Sequence, residues 1–251
     1  MTANLLVLGG TTEASALAQA LADRGVRACL SYAGRTQTPR AQPLPIRIGG
    51  FGGPDGLAQY LRENAITHLV DATHPFAAQM SGHAVLAAAA TNVPLLAFER
   101  PAWRAEPDDS WHDVPDMAGA VAALRGPAER VFLALGRMHL AAFAAQPQHT
   151  YLLRLVDAPT APLPLPNAHA IIARGPFDIQ GDIALMKAHR ITKLVAKNAG
   201  GHGAAAKIAA ARALRLPIVM IARPAIAPRP TADSVDQVLA WLGHGASPRG
   251  V

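Results

Sequence analysis

Short apolar runs alternate along most of the chain with stretches whose apolar residues recur at helical spacing. Leu5–Leu8, Ala28–Ser31, Ile46–Ile48, His68–Ala72 and Pro94–Phe98 are too short for helices and read as strands. Between them, Glu13–Arg24, Asp55–Asn64 and Ala77–Thr91 predict helices. In the last of these, Ala78, Val85, Leu86 and Ala89 can share one face. A second series follows, with strands at Val131–Leu135, Tyr151–Val156, Ala170–Ala173, Lys193–Ala196 and Ile218–Ile221. Its helices are Met117–Leu124, Leu140–Ala145, Asp178–His189, Ala204–Leu214 and Ser234–Leu242. Apolar strands separated by helices indicate parallel sheets covered on both faces.

The pattern breaks at "ERPAWRAEPDDSWHDVP" (Glu99–Pro115), which is rich in proline, tryptophan and charge and has no period. A domain junction is placed there. The expected fold is α/β, with two Rossmann-like domains over 1–98 and 99–251, each a parallel sheet flanked by helices, and a cleft between them. Open α/β sheets bind ligands at the carboxyl ends of their strands, so two such ends facing one another would make a two-ligand site.

Composition narrows the chemistry. The 251 residues are 51% hydrophobic and 16% charged, which excludes a disordered chain. The single cysteine, Cys29, forbids an internal disulfide and a multi-cysteine metal site, and the ten histidines show no ligand spacing, so no metal is expected. Leu5–Leu8 is too short for a signal peptide, and no run of about 18 apolar residues could span a bilayer. A soluble cytoplasmic protein is expected, as a monomer or weak homo-oligomer. The net charge of +6 is unevenly placed. Residues 1–97 carry 6 Lys/Arg and 5 Asp/Glu, whereas residues 125–229 carry 14 and 4, a local net charge of +10. That field suits an anionic partner. The basic residues are not interleaved with aromatics, and no nucleic-acid motif is present, so nucleic acid is not the expected partner.

"NLLVLGGTTEAS" (Asn4–Ser15) reads as strand, tight turn and helix start. Gly9 and Gly10 allow close backbone approach to a ligand, Thr11 and Thr12 offer hydroxyls, and Thr12 can cap the helix. The helix N-terminus would face a pyrophosphate. Ala14 stands near the place of the third glycine of the usual dinucleotide motif. An NAD-preferring fold carries Asp or Glu about 20 residues further on, to bind the ribose hydroxyls. Here that stretch reads "CLSYAGRTQTPR", which has no carboxylate but includes Arg35. Arg35 suits a 2′-phosphate, and the cofactor expected is NADPH. "VDATHPFAAQMS" (Val70–Ser81) puts Asp71, Ala72, Thr73 and His74 at the end of another strand, with Pro75 suited to a helix first turn. His74, with an ordinary pKa of about 6.5, is the candidate proton donor, an ordered water being the alternative.

In the second half, "VAKNAGGHGAAAK" (Val195–Lys207) repeats strand, glycine-rich turn and helix, without a Walker A match. Lys197 and Asn198 end the strand. Gly200, Gly201 and Gly203 permit a nest of N–H groups, flanked by His202 and Lys207. Arg137 with His139, Arg174 and Arg223 stand at other strand ends. Together they suggest a rim for a substrate with several carboxylates.

As a set, "VLGGTTEA", "SYAGRT", "DATHPFA", "FERPAW", "LGR", "ARGPF", "AKNAGGHGAAAK" and "PIVMIARP" resemble the precorrin-6A reductase family of cobalamin biosynthesis, from about Leu5 to Pro224. The resemblance implies NADPH-dependent reduction of one macrocycle double bond, with hydride to C19 and a proton to C18, giving precorrin-6B. It also implies cofactor contacts at Gly9, Gly10, Thr11, Thr12 and Glu13, at Tyr32, Ala33, Gly34, Arg35 and Thr36, and at Asp71, Ala72, Thr73, His74, Pro75 and Phe76. Arg137, Lys197, Asn198, Gly200, Gly201, His202 and Lys207 would meet the carboxylates of the tetrapyrrole. Related reductases act on both metal-free and cobalt-containing substrates. The competing readings are an NADPH reductase for another polycarboxylate and a non-catalytic carrier of an anionic metabolite.

Overall fold

The structure is a computed structural model that describes residues 3–34 and 41–244. It divides into two compact units, 1–101 with 225–251 and 102–224.

The first unit contains strands β1 (Asn4–Leu8), β2 (Arg27–Tyr32), β3 (Ile46–Ile48), β4 (His68–Asp71) and β5 (Leu95–Phe98), with helices α1 (Thr12–Asp23), α2 (Pro54–Glu63) and α3 (Ala78–Thr91). Strand β12 (Thr231–Ala232) and helix α7 (Val235–His244) complete it. All its strands are parallel, in the order β12-β5-β4-β1-β2-β3. The order reverses between β1 and β4, as in a dinucleotide-binding sheet. Alternation along β1 feeds both faces. Leu5 and Val7 pack with Leu17, Leu21, Val238 and Leu242 of α1 and α7, whereas Leu6 and Leu8 pack with Leu57, Leu61, Ala84 and Ala88 of α2 and α3.

The second unit holds β6 (Trp111–Val114), α4 (Met117–Ala122), β7 (Arg130–Ala134), a 3-10 segment (Arg137–Ala145), β8 (Thr150–Leu155) and β9 (Ala168–Ile172). It continues with α5 (Ile179–Ala188), β10 (Lys193–Lys197), α6 (Ala206–Ala213) and β11 (Ile218–Ile221). The strand order is β6-β11-β10-β7-β8-β9, again all parallel, with its reversal between β7 and β10. Phe132, Leu152, Leu194 and Met220 build one core with Met186, Ile208 and Ala211 of α5 and α6. Asp116 and Asp178 cap α4 and α5 by accepting from Gly119 and Gly181 N–H, each at 2.8 Å. Among the described residues no helix is long and apolar enough to cross a membrane.

Four expectations are revised. The segment from 225 onward belongs with the first unit rather than the second. Thr231 and Ala232 pair with Ala97 and Phe98, and α7 buries Val238 in the first unit's core. The expected period-free junction contains β6, whose polar His112 and Asp113 lie on an edge strand and hide its period. Helix α3 turns a different face inward: Ser81, Ala84, Ala87 and Ala88 are buried, and Leu86 is 58% exposed. Small residues there let the helix approach the sheet, which a stripe chosen by hydrophobicity overlooks. Residues expected as a helix over Leu140–Ala145 form the longer 3-10 segment, whose first residue has no side-chain cap.

His68 and α7 are linked. The His68 ring meets Trp241 edge-on at 5.2 Å, and its Nδ1 lies 2.9 Å from the Thr67 hydroxyl. Burial pushes the His68 pKa below the ordinary histidine value. The unfolded chain therefore takes up this proton first as pH falls through about 6.5, so the stability contributed by neutral His68 is present above that pH and lost below it. Melting temperature should fall more steeply on acidification in the wild type than in His68→Gln; parallel pH profiles would show that His68 does not contribute.

Candidate functional site

At the carboxyl end of the first sheet, one hydroxyl joins the turn after β1 to the loop after β4. Thr11 caps α1 by accepting from Ala14 N–H at 3.1 Å, and its hydroxyl donates to Ala72 O at 2.8 Å. The backbone adds Gly9 N–H to Ser31 O and Ala72 N–H to Leu8 O, both at 2.9 Å. The capping residue is Thr11, not Thr12 as expected, because its extended backbone stands one residue before the helix. The Thr12 hydroxyl instead donates to Glu13 at 3.1 Å.

This turn fits a pyrophosphate on three grounds. A Cβ on Gly9 would stand 2.7 Å from Leu30 Cδ1, so a larger residue there would have to displace the end of the Leu30 side chain. Gly10 has φ +122° with open space where a Cβ would stand. The first N–H groups of a helix have no acceptor within the helix. Glu13 would oppose an anion, but Arg100 Nη1 binds its carboxylate at 2.7 Å. Thr11, Glu13, Thr73, Pro75 and Arg100 line a shallow depression here.

Asp71 is 2% exposed and organises the adjoining loop. Its Oδ1 accepts from Thr73 N–H at 3.2 Å and from the Thr73 hydroxyl at 2.7 Å, and Arg229 lies 3.7 Å from Oδ2. Arg229 also pairs with Glu99. His74 Nδ1 accepts from Phe76 N–H at 3.1 Å, so the neutral ring carries its proton on Nε2. Pro75 precedes α3 rather than opening it. It sits in a turn closed by Ala77 N–H to His74 O at 2.7 Å, where its fixed φ suits the second turn position.

At the end of β2, Tyr32 packs against the α1 core. Burial raises its pKa, opposed in part by a hydrogen bond with Ser15. Ala33 follows it, and Gly34 adopts φ +75° with its Cβ position 3.3 Å from Ile48 Cγ2. Arg35 and Thr36 lie outside the described residues. Arg47, which sequence reasoning did not single out, donates to Gly49 O and Gly50 O and stacks at 3.8 Å on Phe51. It holds the loop after β3 beside Gly34.

The second unit brings its basic residues to the corresponding end. Lys197 Nζ lies 2.8 Å from His139 Nε2, across the reversal between β7 and β10. Arg137 and His202 are exposed. Gly200 and Gly201 adopt φ +70° and +72°, whereas Gly203 has no such requirement. Lys207 Nζ donates to Ala204 O at 2.7 Å. Both polar atoms of the Asn198 side chain bind the Trp103 backbone, at 2.8 and 2.9 Å. Arg223 donates to Asn198 O and Ala199 O, and Arg174 pairs with Asp157. Arg174, Arg223 and Lys197 are thus engaged by other parts of the same unit.

Sequence reasoning missed Arg100, Trp103 and Arg229. Arg100 and Trp103 stood in the "FERPAW" motif without an assigned role. Arg229 gave no signal, since its partners Asp71 and Glu99 lie far earlier in the chain and only the chain's return brings it to them.

These features define an α/β protein with two dinucleotide-fold units, one bearing a phosphate-type turn and the other a cationic strand-end cluster. The family model described as "Precorrin-6x reductase CbiJ/CobK" matches residues 4–243. The chain is 60% identical over 248 residues to the precorrin-6A reductase of Rhodobacter capsulatus, covering 98% of this chain and 99% of that protein. It is 47% identical to the precorrin-6A reductase of Sinorhizobium sp, covering 97% and 94%. A solved structure described as CobK precorrin-6A reductase superposes with a TM-score of 0.94 at 60% identity, covering 99% of this chain and 100% of that one. The chain belongs to the precorrin-6x reductase family and is an oxidoreductase of cobalamin biosynthesis.

Replacing Thr11 by Val removes a cap and the bond to Ala72 while keeping the side-chain volume. It should cost about 1–2 kcal/mol by urea unfolding, and Thr11→Ser should recover most of that. Equal stability of Thr11→Val and wild type would show that the hydroxyl does not tie the two motifs.

Proposed function

We propose that the chain reduces precorrin-6A to precorrin-6B with NADPH, hydride going to C19 and a proton to C18 of the macrocycle. The observation that carries this reading is the Thr11 hydroxyl joining the glycine turn to the Asp71 loop at the strand-order reversal of the first unit. Family membership supplies the substrate class. When bound, NADPH supplies the hydride.

In this reading Gly9, Gly10, Thr11, Thr12 and the first turn of α1 bind the pyrophosphate. Arg100 neutralises Glu13, so that carboxylate does not repel it. Tyr32, Ala33 and Gly34 bring the chain to Arg35 and Thr36, which recognise the 2′-phosphate. Asp71 orients Thr73, and the Ala72–Phe76 loop borders the nicotinamide. His74 is the proton donor of this proposal: Nε2 gives up the proton from the imidazolium, which requires Nδ1 to release Phe76 N–H, and an ordered water is the alternative donor. Arg137, Lys197, His202, Lys207 and the N–H groups of the Gly200–Gly201 turn bind substrate carboxylates. Asn198 acts by shaping that turn, its side chain being bonded to Trp103. The local excess of basic residues over 125–229 favours association with a polyanion.

Steady-state NADPH oxidation in the presence of precorrin-6A tests this. A charge-assisted contact to a phosphate is worth roughly 1.5–3 kcal/mol, so Arg35→Ala should raise the KM for NADPH about tenfold to a hundredfold. NADH kinetics should barely change. Equal effects on both cofactors would remove Arg35 from the 2′-phosphate site. NADPH binding without oxidation in the wild type would favour a carrier.

A further inference from the structure

Trp103 lies in a stretch, Pro101 to Asp108, whose other residues are all exposed, yet it is only partly accessible itself. Its contacts converge on one place. The main chain of Trp103 and the side chain of Asn198 form a reciprocal pair: Trp103 N–H donates to Asn198 Oδ1 at 2.8 Å, and Asn198 Nδ2 donates to Trp103 O at 2.9 Å. The indole Nε1–H donates to Gly201 O at 2.9 Å. Lys207 Nζ lies 5.1 Å from the indole centroid, within cation–π range. One residue therefore holds both ends of the glycine-rich turn and the ammonium group that follows it.

The stretch is also anchored further along. Asp109 accepts two bonds from Arg212, Nε and Nη2 each at 2.9 Å, and Arg212 reaches Glu106 at 3.0 Å. Burial pushes the Asp109 carboxyl pKa up, but its hydrogen bonds with Arg212 and Glu106 N–H outweigh this and hold it below the usual carboxylate range. Lys207 and Arg212 both belong to α6, so residues 103–109 form a strap fixed at two points of one helix. On the turn's other side, Arg223 binds Asn198 O and Ala199 O. Left-handed glycines at 200 and 201 give the turn a shape that a chain of this composition would otherwise leave in many conformations.

We propose that Trp103 is a positioning residue for the tetrapyrrole, setting the N–H groups of the Lys197–His202 turn and the Lys207 ammonium in the arrangement that receives substrate carboxylates. This rests on the reading of that turn as the carboxylate site. Trp103 acts through Asn198, Gly201 and Lys207 and takes no part in hydride or proton transfer.

The test compares the wild type with Trp103→Phe, which keeps a ring face for Lys207 but loses the bond to Gly201, and with Trp103→Leu, which loses both. The KM for precorrin-6A should rise about tenfold in Trp103→Phe and further in Trp103→Leu, while kcat and the KM for NADPH stay near wild type. Binding of uroporphyrin, a polycarboxylate macrocycle, followed by its own fluorescence, should weaken in the same order. Unchanged uroporphyrin affinity in both variants overturns the proposal. So does a parallel loss of kcat, both KM values and melting temperature, which marks a general structural role. If the wild type fails to reduce precorrin-6A but uroporphyrin binding still follows the order wild type, Phe, Leu, the functional reading fails and the positioning role of Trp103 stands.

Discussion

The Thr11 hydroxyl makes two bonds that the candidate cofactor site depends on. By accepting from Ala14 it starts helix α1 at the turn, and by donating to Ala72 it fastens that turn to the loop after β4. Both motifs stand at the place where the strand order reverses, and there the chain leaves the sheet in two directions and opens a crevice. Without a third glycine, Ala14 provides the close helix–strand packing, lying fully buried against the core of β1 and β2. Gly9 favours that approach, since a Cβ there would press on the end of the Leu30 side chain.

The charges near this turn have partners. Glu13 would be unfavourable beside a phosphate, but Arg100 accompanies it. Asp71 is buried, where a polar group needs partners, and it has Thr73 and Arg229. Arg229 in turn has Glu99. Such a network positions the loop carrying His74. In the second unit Arg137 and His202 are exposed, and Lys197 stands beside His139. An excess of positive charge at strand ends suits a ligand that brings several negative charges of its own.

Much of this was legible in the residues. The strands were recognisable because a buried parallel strand is a short, continuously apolar run, and the positions of Leu5–Leu8, His68–Ala72 and Ile218–Ile221 needed little else. The glycine turns were legible because the left-handed backbone at Gly10, Gly200 and Gly201 favours glycine, so their chemistry shows in the sequence. The roles of Thr11 and Asn198 were less so. Thr11 and Thr12 are equivalent as letters, and the backbone angle at the first of them decides which caps. Asn198 looked like a ligand contact because nothing local indicated that Trp103, 95 positions earlier, would occupy both ends of its amide.

The sequence by itself determined the α/β class, the parallel sheets, the two glycine turns and the concentration of basic residues in the second half. Each of these arises from local periodicity, backbone permissiveness or composition. Tertiary structure alone decided that residues beyond 225 complete the first unit's sheet beside β5, that Arg229 reaches Asp71, and that Trp103 pins the turn after β10. These contacts join residues far apart in the chain. They depend on which sheet edge is left open for another strand, and no local pattern of side chains records that.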